Sequence, residues 1–472
     1  MREELFLPRV SFVRADGAGM TAGAERRQKK KAENPPTLKV RTFVKEEFFL
    51  KQDMICAGLP DAEALGTAVG EFLRTVRPER ARLYDYYRGE QSVPKGEAVR
   101  GRPNNLLRAP FPRYITEVHT GYFLGLPPAL TFPDAAAGER YAALSRTLDL
   151  PHLLFDVGRD LSICGAGFVL VWAERAGVRA CRCDPCDCFA LRSGEAGSPL
   201  LAAVRLLAGG GSETRGVLYT AERTVPFVWD GSGVTLGAGE ENLLHTIPLL
   251  PFYNNCQGCG DFEPVTGLVD AYNVLLSGAL DDMQSVANAF LALYGMQGTT
   301  QDDVDRANRT RVLALSEGGR AEFVVKNLNH EALGQLEVNL RRSILQLTMT
   351  PDLGDEHFAL NSSGVALQYK LWGIEQVRSA KERAFTDALR GLLAVLSAGE
   401  RLLGRGVDLT GGTATFYKNL PQDNAALCST LLSLAPLLSR QTLLEQLPWV
   451  ADVQEELRRK AEEAAAEETE KK

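Results

Sequence analysis

Met349-Thr350-Pro351-Asp352-Leu353-Gly354-Asp355-Glu356-His357-Phe358 is a polar, proline-broken loop, and Asn361-Ser362-Ser363-Gly364 leads out of it into a helical pattern that reaches Leu403. Ser362 and Ser363 are residue types that cap a helix N-terminus. Gly364 lets the chain turn sharply out of the loop. A helix of about forty residues is roughly 60 Å long at about 1.5 Å per residue. That exceeds the diameter of a small domain, so the stretch belongs to something larger than one compact globule.

Working outward, a chain of 472 residues has room for roughly two to four folding units. Its 45% hydrophobic and 24% charged content is ordinary for a soluble globular protein. No apolar run approaches the roughly 18 residues of a membrane-spanning helix. Met1 to Val13 lacks the apolar core and small-residue cleavage site of a signal peptide, so the chain is expected to stay in the compartment where it is made. A net charge of −7 argues against gripping nucleic acid by the whole surface, though not against handling DNA without holding it. Nine cysteines in so long a chain without an export signal do not read as a disulfide framework. The five histidines, at 119, 152, 245, 330 and 357, include no pair at metal-binding helical spacing. That thin supply argues against histidine-based catalysis.

Residues 1–45 carry the basic run Arg26-Arg27-Gln28-Lys29-Lys30-Lys31 and read as a flexible arm, with Met20 and Met54 as alternative starts. From Asp61 to Tyr87, Leu65, Val69, Phe72, Leu73 and Val76 share a helix face that closes at Arg88-Gly89. Helices are also expected over 111–124 and, as a pair broken at Pro151, over 139–163. The period then changes to two in Gly167–Trp172, Val178–Cys181, Leu200–Leu207 and Val217–Thr220, which predicts antiparallel strands between glycine-rich turns. The first half is thus an α+β domain ending near Pro251-Phe252.

Asp261-Phe262-Glu263-Pro264 has the acids and the proline of a helix start. The apolar stripe from Val265 through Leu268, Val269, Tyr272, Leu276 and Met283 to Phe290 predicts a helix reaching Tyr294. A short charged helix near 301–308 follows, then a hairpin of Arg311–Leu315 and Glu322–Lys326 around Glu317-Gly318-Gly319-Arg320. A second amphipathic helix spans Glu331 to Leu347, so a small α/β insert sits between helices that run out and back. After the long helix, one strand at Thr413–Tyr417 precedes helices at Asn424–Leu438 and Gln441–Leu447. A Glu, Ala and Lys rich tail closes the chain.

Motifs that carry chemistry are few. There is no phosphate loop, no HExxH, no GxSxG and no GxGxxG after a strand, so neither an enzyme nor a cofactor is expected. Asp281 and Asp282 are adjacent on a helix, point in different directions and read as a polar stripe. Cys181, Cys183, Cys186 and Cys188, with Cys256 and Cys259 later, supply enough thiolates for a zinc site. Cys181 and Cys183 share one face of a strand. The alternative to zinc is a set of small, semi-buried residues.

The chain resembles the portal proteins of long-tailed double-stranded DNA phages. The residues that carry the resemblance are Tyr86-Tyr87-Arg88-Gly89, Pro103-Asn104-Asn105, Gly121-Tyr122-Phe123-Leu124-Gly125, Gly260-Asp261-Phe262-Glu263-Pro264 with Asp270-Ala271-Tyr272, Asn361 to Ala366 with Tyr369-Lys370, Lys381-Glu382-Arg383, and Asn419-Leu420-Pro421. They cover about residues 70–460 in the family's order. The resemblance implies a ring, usually of twelve copies, at one capsid vertex, through which double-stranded DNA is pumped in and later leaves. It implies a basic arm at 1–45, a wing at 46–260 and a first stem helix at 261–294. A clip at 295–328, a second stem helix at 329–349 and a tunnel loop at 350–363 follow. The long wing helix at 364–404, a crown at 405–460 and a charged tail at 461–472 complete the plan. The implied partners are the terminase large subunit, the major capsid and scaffolding proteins and a head–tail adaptor, with no membrane. The implied location is the virion, with assembly in the host cytoplasm.

A channel must surround dense phosphate without binding it, because each phosphate paired with Lys or Arg adds affinity through counterion release. Pro351, Asp352, Asp355, Glu356, His357 and Asn361 are therefore the expected DNA-facing residues, their acids suited to a surface that repels or slides. Energy would come from a separate ATPase. The competing class is a zinc-binding adaptor or nucleic-acid-binding module built on the cysteines.

Overall fold

The structure, a computed structural model, describes residues 53–96, 103–195, 197–207, 213–287, 290–294, 300, 302, 305, 320–324, 330–354, 364–419, 424–447, 450, 453 and 456–462. A strand, Met54–Cys56, precedes α1 (Ala62–Glu71), whose first turn is capped by the Asp61 carboxylate accepting from Ala64 N at 2.8 Å. The single helix expected over 61–87 is interrupted by one π turn, Phe72–Val76, before α2 (Arg77–Arg88) closes at Gly89 with φ 76°. The extra residue rotates the buried face. Leu65, Val69 and Phe72 pack under one sheet, whereas Leu83, Tyr84 and Tyr86 join a second core with Ile115, Phe262 and Val269.

Helix α3 (Phe111–Leu124) follows as expected. Helices α4 (Ala135–Leu148) and α5 (Leu150–Cys164) meet at Asp149, with φ 48°, and Pro151 sits inside the first turn of α5. The break therefore falls before the proline, where a missing N–H costs nothing. A seven-stranded sheet runs in the order Met54–Cys56, Cys188–Ser193, Leu200–Leu207, Thr214–Tyr219, Arg223–Trp229, Glu240–Glu241, with Val234–Leu236 also on Arg223–Trp229. A three-stranded sheet pairs Leu249–Tyr253 with Ala166–Glu174, and that strand with Gly177–Cys183. The strands expected from the two-residue period are all paired antiparallel, and Met54–Cys56, which the sequence did not mark as a strand, runs parallel to Leu191–Ser193. Leu249–Tyr253, buried throughout, lacks the alternation by which half-exposed strands are recognised.

The apolar stripe after Pro264 forms a single 3₁₀ turn, Glu263–Val265, and then α6 (Thr266–Ala287). The helix does not reach Tyr294. Phe290–Tyr294 is a strand, antiparallel to Arg320–Val324. A five-residue apolar run fits either period, and a cross-strand partner distant in sequence decides between them. The strand expected at Glu322–Lys326 is thus present from Arg320, its described partner being 290–294. The helix expected at 301–308 falls outside the described residues apart from 302 and 305, and Arg311–Leu315 with Glu317, Gly318 and Gly319 falls wholly outside. Helix α7 (His330–Leu347) returns against α6, with the Tyr272 hydroxyl 3.1 Å from Glu337.

Helix α8 (Gly364–Leu402) is continuous over 39 residues. Its C-terminal half is core: Phe385, Leu389, Leu392 and Leu396 pack with Phe123, Val157, Val169 and Phe252. Phe385 meets Phe123 edge-on at 5.4 Å and Phe252 at 5.1 Å. Thr413–Thr415 pairs with Ala129–Thr131. Helix α9 (Asn424–Leu434) stops short of Leu438 because Pro436 cannot continue it, and α10 (Arg440–Glu445) is likewise shorter than expected.

An extended strap lies along α6. Ala109 N donates to Asn273 Oδ1 (2.8 Å), Leu107 N to Ser277 Oγ (2.9 Å) and Asn105 N to Asp281 Oδ1 (2.8 Å). Four helical residues rise about 6 Å and two extended residues span about 6.6 Å, so alternate strap amides match every fourth residue of the helix. Asp281 also accepts from Lys95 and Asn105 Nδ2. The polar stripe of α6 is a ladder for the strap.

Candidate functional site

The chain leaves α7 through a tight turn. Met349 N donates to Gln346 O (3.1 Å) and Thr350 N to Leu345 O (2.9 Å), closing the helix in a Schellman-like arrangement. Met349 takes the left-handed conformation, φ 54°, at a cost of roughly 1–2 kcal/mol for a residue with a Cβ. Contacts on both sides hold it. A Cβ on Gly373 would lie 3.2 Å from Met349 Cβ, so the glycine lets the α8 backbone pass close to the turn. Thr348 Oγ1 donates to Ile344 O (2.9 Å) and lies 2.8 Å from Thr350 Oγ1.

Thr350 is buried, and its hydroxyl sits 2.9 Å from His119 Nε2 on α3. His119 Nδ1 is 3.9 Å from Asp261 Oδ2. The same carboxylate oxygen accepts from Lys381 Nζ of α8 and from Ser162 Oγ of α5, both at 2.5 Å, and Oδ1 accepts from Asn254 Nδ2 at 2.8 Å. The His119, Asp261 and Lys381 side chains are 1%, 4% and 3% exposed. Burial pushes His119 down to about 4, helped by the Lys381 charge and opposed by Asp261. Burial alone would raise Asp261, but the Lys381 charge and the Lys381 and Ser162 hydrogen bonds hold it below the usual carboxylate range. The knot thus holds a paired ammonium and carboxylate beside a neutral imidazole. Buried charges arranged this way add little net stability, but removing one partner is expensive.

Helix α3 grips the same region twice more. The Tyr114 hydroxyl donates to Pro351 O (2.8 Å) and accepts from Leu353 N (3.0 Å). The Tyr122 hydroxyl donates to Glu375 Oε2 of α8 at 2.7 Å. Burial would raise Glu375, but Arg378, Tyr122 and Lys418 outweigh it and hold the carboxyl at about 2.

Of the residues expected to face a channel, Pro351 is buried within the protomer, and its carbonyl accepts from the Tyr114 hydroxyl. Asp352 pairs with Arg341 at 2.9 Å and accepts from Gly354 N, so its charge is balanced locally. Asp355, Glu356, His357, Asn361, Ser362 and Ser363 lie outside the described residues, and Gly364 is the first residue of α8. Arg320 is exposed at the start of its strand.

None of the nine cysteines, all of them among the described residues, forms a disulfide. Cys181, Cys183 and Cys188 belong to the core under the three-stranded sheet, whereas Cys186, in the 3₁₀ turn Pro185–Asp187, faces a different one with Cys164. The Cys183 thiol is lowered by its hydrogen bond with Cys181 but raised more by the one with Cys188 and by burial, to about 12, and burial pushes Cys186 up to about 12. Among the described residues, no group of three or more His, Cys, Asp or Glu is placed to hold a metal ion. Cys181, Cys183, Cys186 and Cys188 are small residues in or against the core, whereas Cys256 is exposed and Cys259 half-buried.

Sequence reasoning did not bring Tyr114, His119, Asp261, Thr350 and Lys381 together. They come from four segments far apart in the chain. Asp261 and Lys381 stood within segments singled out for the resemblance, but nothing local marks them as a pair.

Residues 75–470 match a family model described as phage portal protein, SPP1 Gp6-like. With most of its length covered, the chain belongs to that family, which is structural rather than enzymatic. No curated protein matches it. Among solved structures it is similar to a chain in the neck of a native GTA particle computed with C12 symmetry, at 11% identity and a TM-score of 0.46, over 72% of this chain and 88% of that one. A chain in the neck of an empty GTA particle computed with C6 symmetry is similar at 11% identity and a TM-score of 0.45, over 71% and 88%.

Proposed function

We propose that copies of this chain close into a ring, twelve-membered as the family resemblance implies, at one vertex of a phage capsid. The ring is the channel for packaging and ejection of double-stranded DNA. It docks the terminase large subunit, a head–tail adaptor and the major capsid and scaffolding proteins, and it catalyses nothing itself. Assembly takes place in the host cytoplasm. The observation that carries this reading is the family match over residues 75–470.

Within the ring, residues 46–260 and 364–404 form the wing, α6 and α7 the stem, 295–328 the clip, 350–363 the tunnel loop and 405–460 the crown. The DNA-facing part of the loop begins after Pro351. The arrangement of α8 supports this division, since one half of the helix is sunk in the core and the other leads back to the loop. Electron microscopy of the purified full-length chain tests the reading. Closed cyclic rings of about 0.6 MDa are expected from 51.5 kDa copies. A chain that stays monomeric at high concentration and with scaffolding protein present would overturn it.

A further inference from the structure

Both ends of the loop at 350–363 are tied to one buried carboxylate. Its entry, Thr350, reaches Asp261 through His119. Its exit continues into α8, which Lys381 fastens to Asp261 about 26 Å along the helix, at about 1.5 Å per residue from Gly364. Asp261 lies two residues before the Glu263–Val265 turn that leads into α6, so the outgoing helix is anchored there too. On α3, Tyr114, His119 and Tyr122 hold the loop entry, the carboxylate and Glu375 of α8 in turn.

We propose that Asp261, His119 and Lys381 are positioning residues for the loop, fixing its entry and exit relative to each other from inside the protomer. This rests on the reading of 350–363 as the channel loop. All three side chains are buried inside the protomer. Each acts through Thr350 or α8, so the loop's seat is set independently of contacts between copies. A bare structural role would spread the effect of a substitution over the whole core, whereas a positioning role confines it to the loop and its entry.

The test compares full-length wild type with Thr350→Val, which keeps the volume but removes the hydroxyl that meets His119, and Thr350→Ser, which keeps the hydroxyl and loses only the methyl group. Amide exchange is followed at 350–354 and at Ala166–Glu174. Loss of the hydroxyl's contacts with His119 and Thr348, each worth about 1 kcal/mol, predicts at least roughly fivefold faster exchange at Thr350 and 352–354 in Thr350→Val. The strand amides should keep their rates, and Thr350→Ser should restore the loop entry. Unchanged exchange at 350–354, or faster exchange throughout, would overturn the proposal. Thr350→Val rings of wild-type appearance should also yield fewer DNA-filled particles, with rescue by Thr350→Ser; wild-type yield from both would equally overturn it. Failure of the wild type to form rings would sink the functional reading instead, and the exchange comparison would still decide whether the knot seats the loop.

Discussion

Helices α5 and α7 are of similar length but live in different surroundings. Nine of the 15 residues of α5 are buried, against two, Ile344 and Leu345, of the 18 in α7. Leu336 and Val338 of α7 are 47% and 50% exposed. Helix α5 is held by burial along its length. Helix α7 is held at its C-terminal end, where Leu340 and Ile344 meet Val269 and Phe262 and the turn at Met349 is locked to His119. The difference teaches that the body of the protomer is self-sufficient, while α7, the beam of the comparison, leaves most of its side chains exposed and is fixed at its C-terminal end. The buried knot is the fixing point.

The largest test of that contrast is Lys381→Met, which leaves Asp261 charged and unpaired in a dry site. Breaking a buried pair from one side costs about 3–5 kcal/mol. Urea denaturation should show that loss, and Asp261→Asn combined with Lys381→Met should recover part of it. A loss below about 1 kcal/mol, the scale of exposed pairs, would mean that the knot is no anchor.

The pH dependence comes next. His119 titrates at about 4 in the folded protein against an ordinary 6.5. Between those values the unfolded chain binds more protons than the native one, so stability falls as pH drops through the window. The loss is absent above the upper value and complete below the lower one, amounting to roughly 3 kcal/mol. Asp261 and Lys381 are the charged groups facing the ring. Asp261, depressed, withdraws its own contribution only below its ordinary 3.8. Asp53 and Asp160 are raised by burial and act in the opposite sense, which is why the comparison must be with a variant. His119→Gln should flatten the fall between those two pH values by about the stated amount; parallel curves for variant and wild type would refute the neutral buried imidazole.

Much of this was legible in the sequence, and the misses have physical causes. The long helix, α3, α7 and the start after Asp261 announce themselves by periodicity, caps and prolines that act within a few residues. Strands buried on both faces, such as Leu249–Tyr253, and the strand at Phe290–Tyr294 were missed because only a distant partner separates them from helix. The knot was invisible for the same reason. His119, Asp261, Thr350 and Lys381 acquire meaning only when four segments meet, and nothing near His119 in the sequence marks it as buried.

A smaller effect is expected at the strap. Ser277→Ala deprives Leu107 N of its partner on α6, an exchange worth about 1 kcal/mol. Faster exchange at Leu107, with α5 unaffected, would show that α6 is steadied along its side as well as at its base. No change at Leu107 would leave the base as its main support.

The smallest effect on the protomer should come from α7 itself. Leu336→Ser and Val338→Ser change half-exposed positions, so the unfolding free energy of the isolated chain should move by no more than about 0.5 kcal/mol. Phe385→Ala, in the body, should cost about 3–5 kcal/mol. If the exposed apolar side chains of α7 are completed by a neighbouring copy, the same two serines should nonetheless abolish ring formation, because there they would place a hydroxyl in an apolar contact between subunits. Sedimentation of both serine variants separates the outcomes. Stable protomers that no longer close into rings would confirm that the beam is finished by assembly. Protomers destabilised as much as Phe385→Ala would erase the distinction between body and beam.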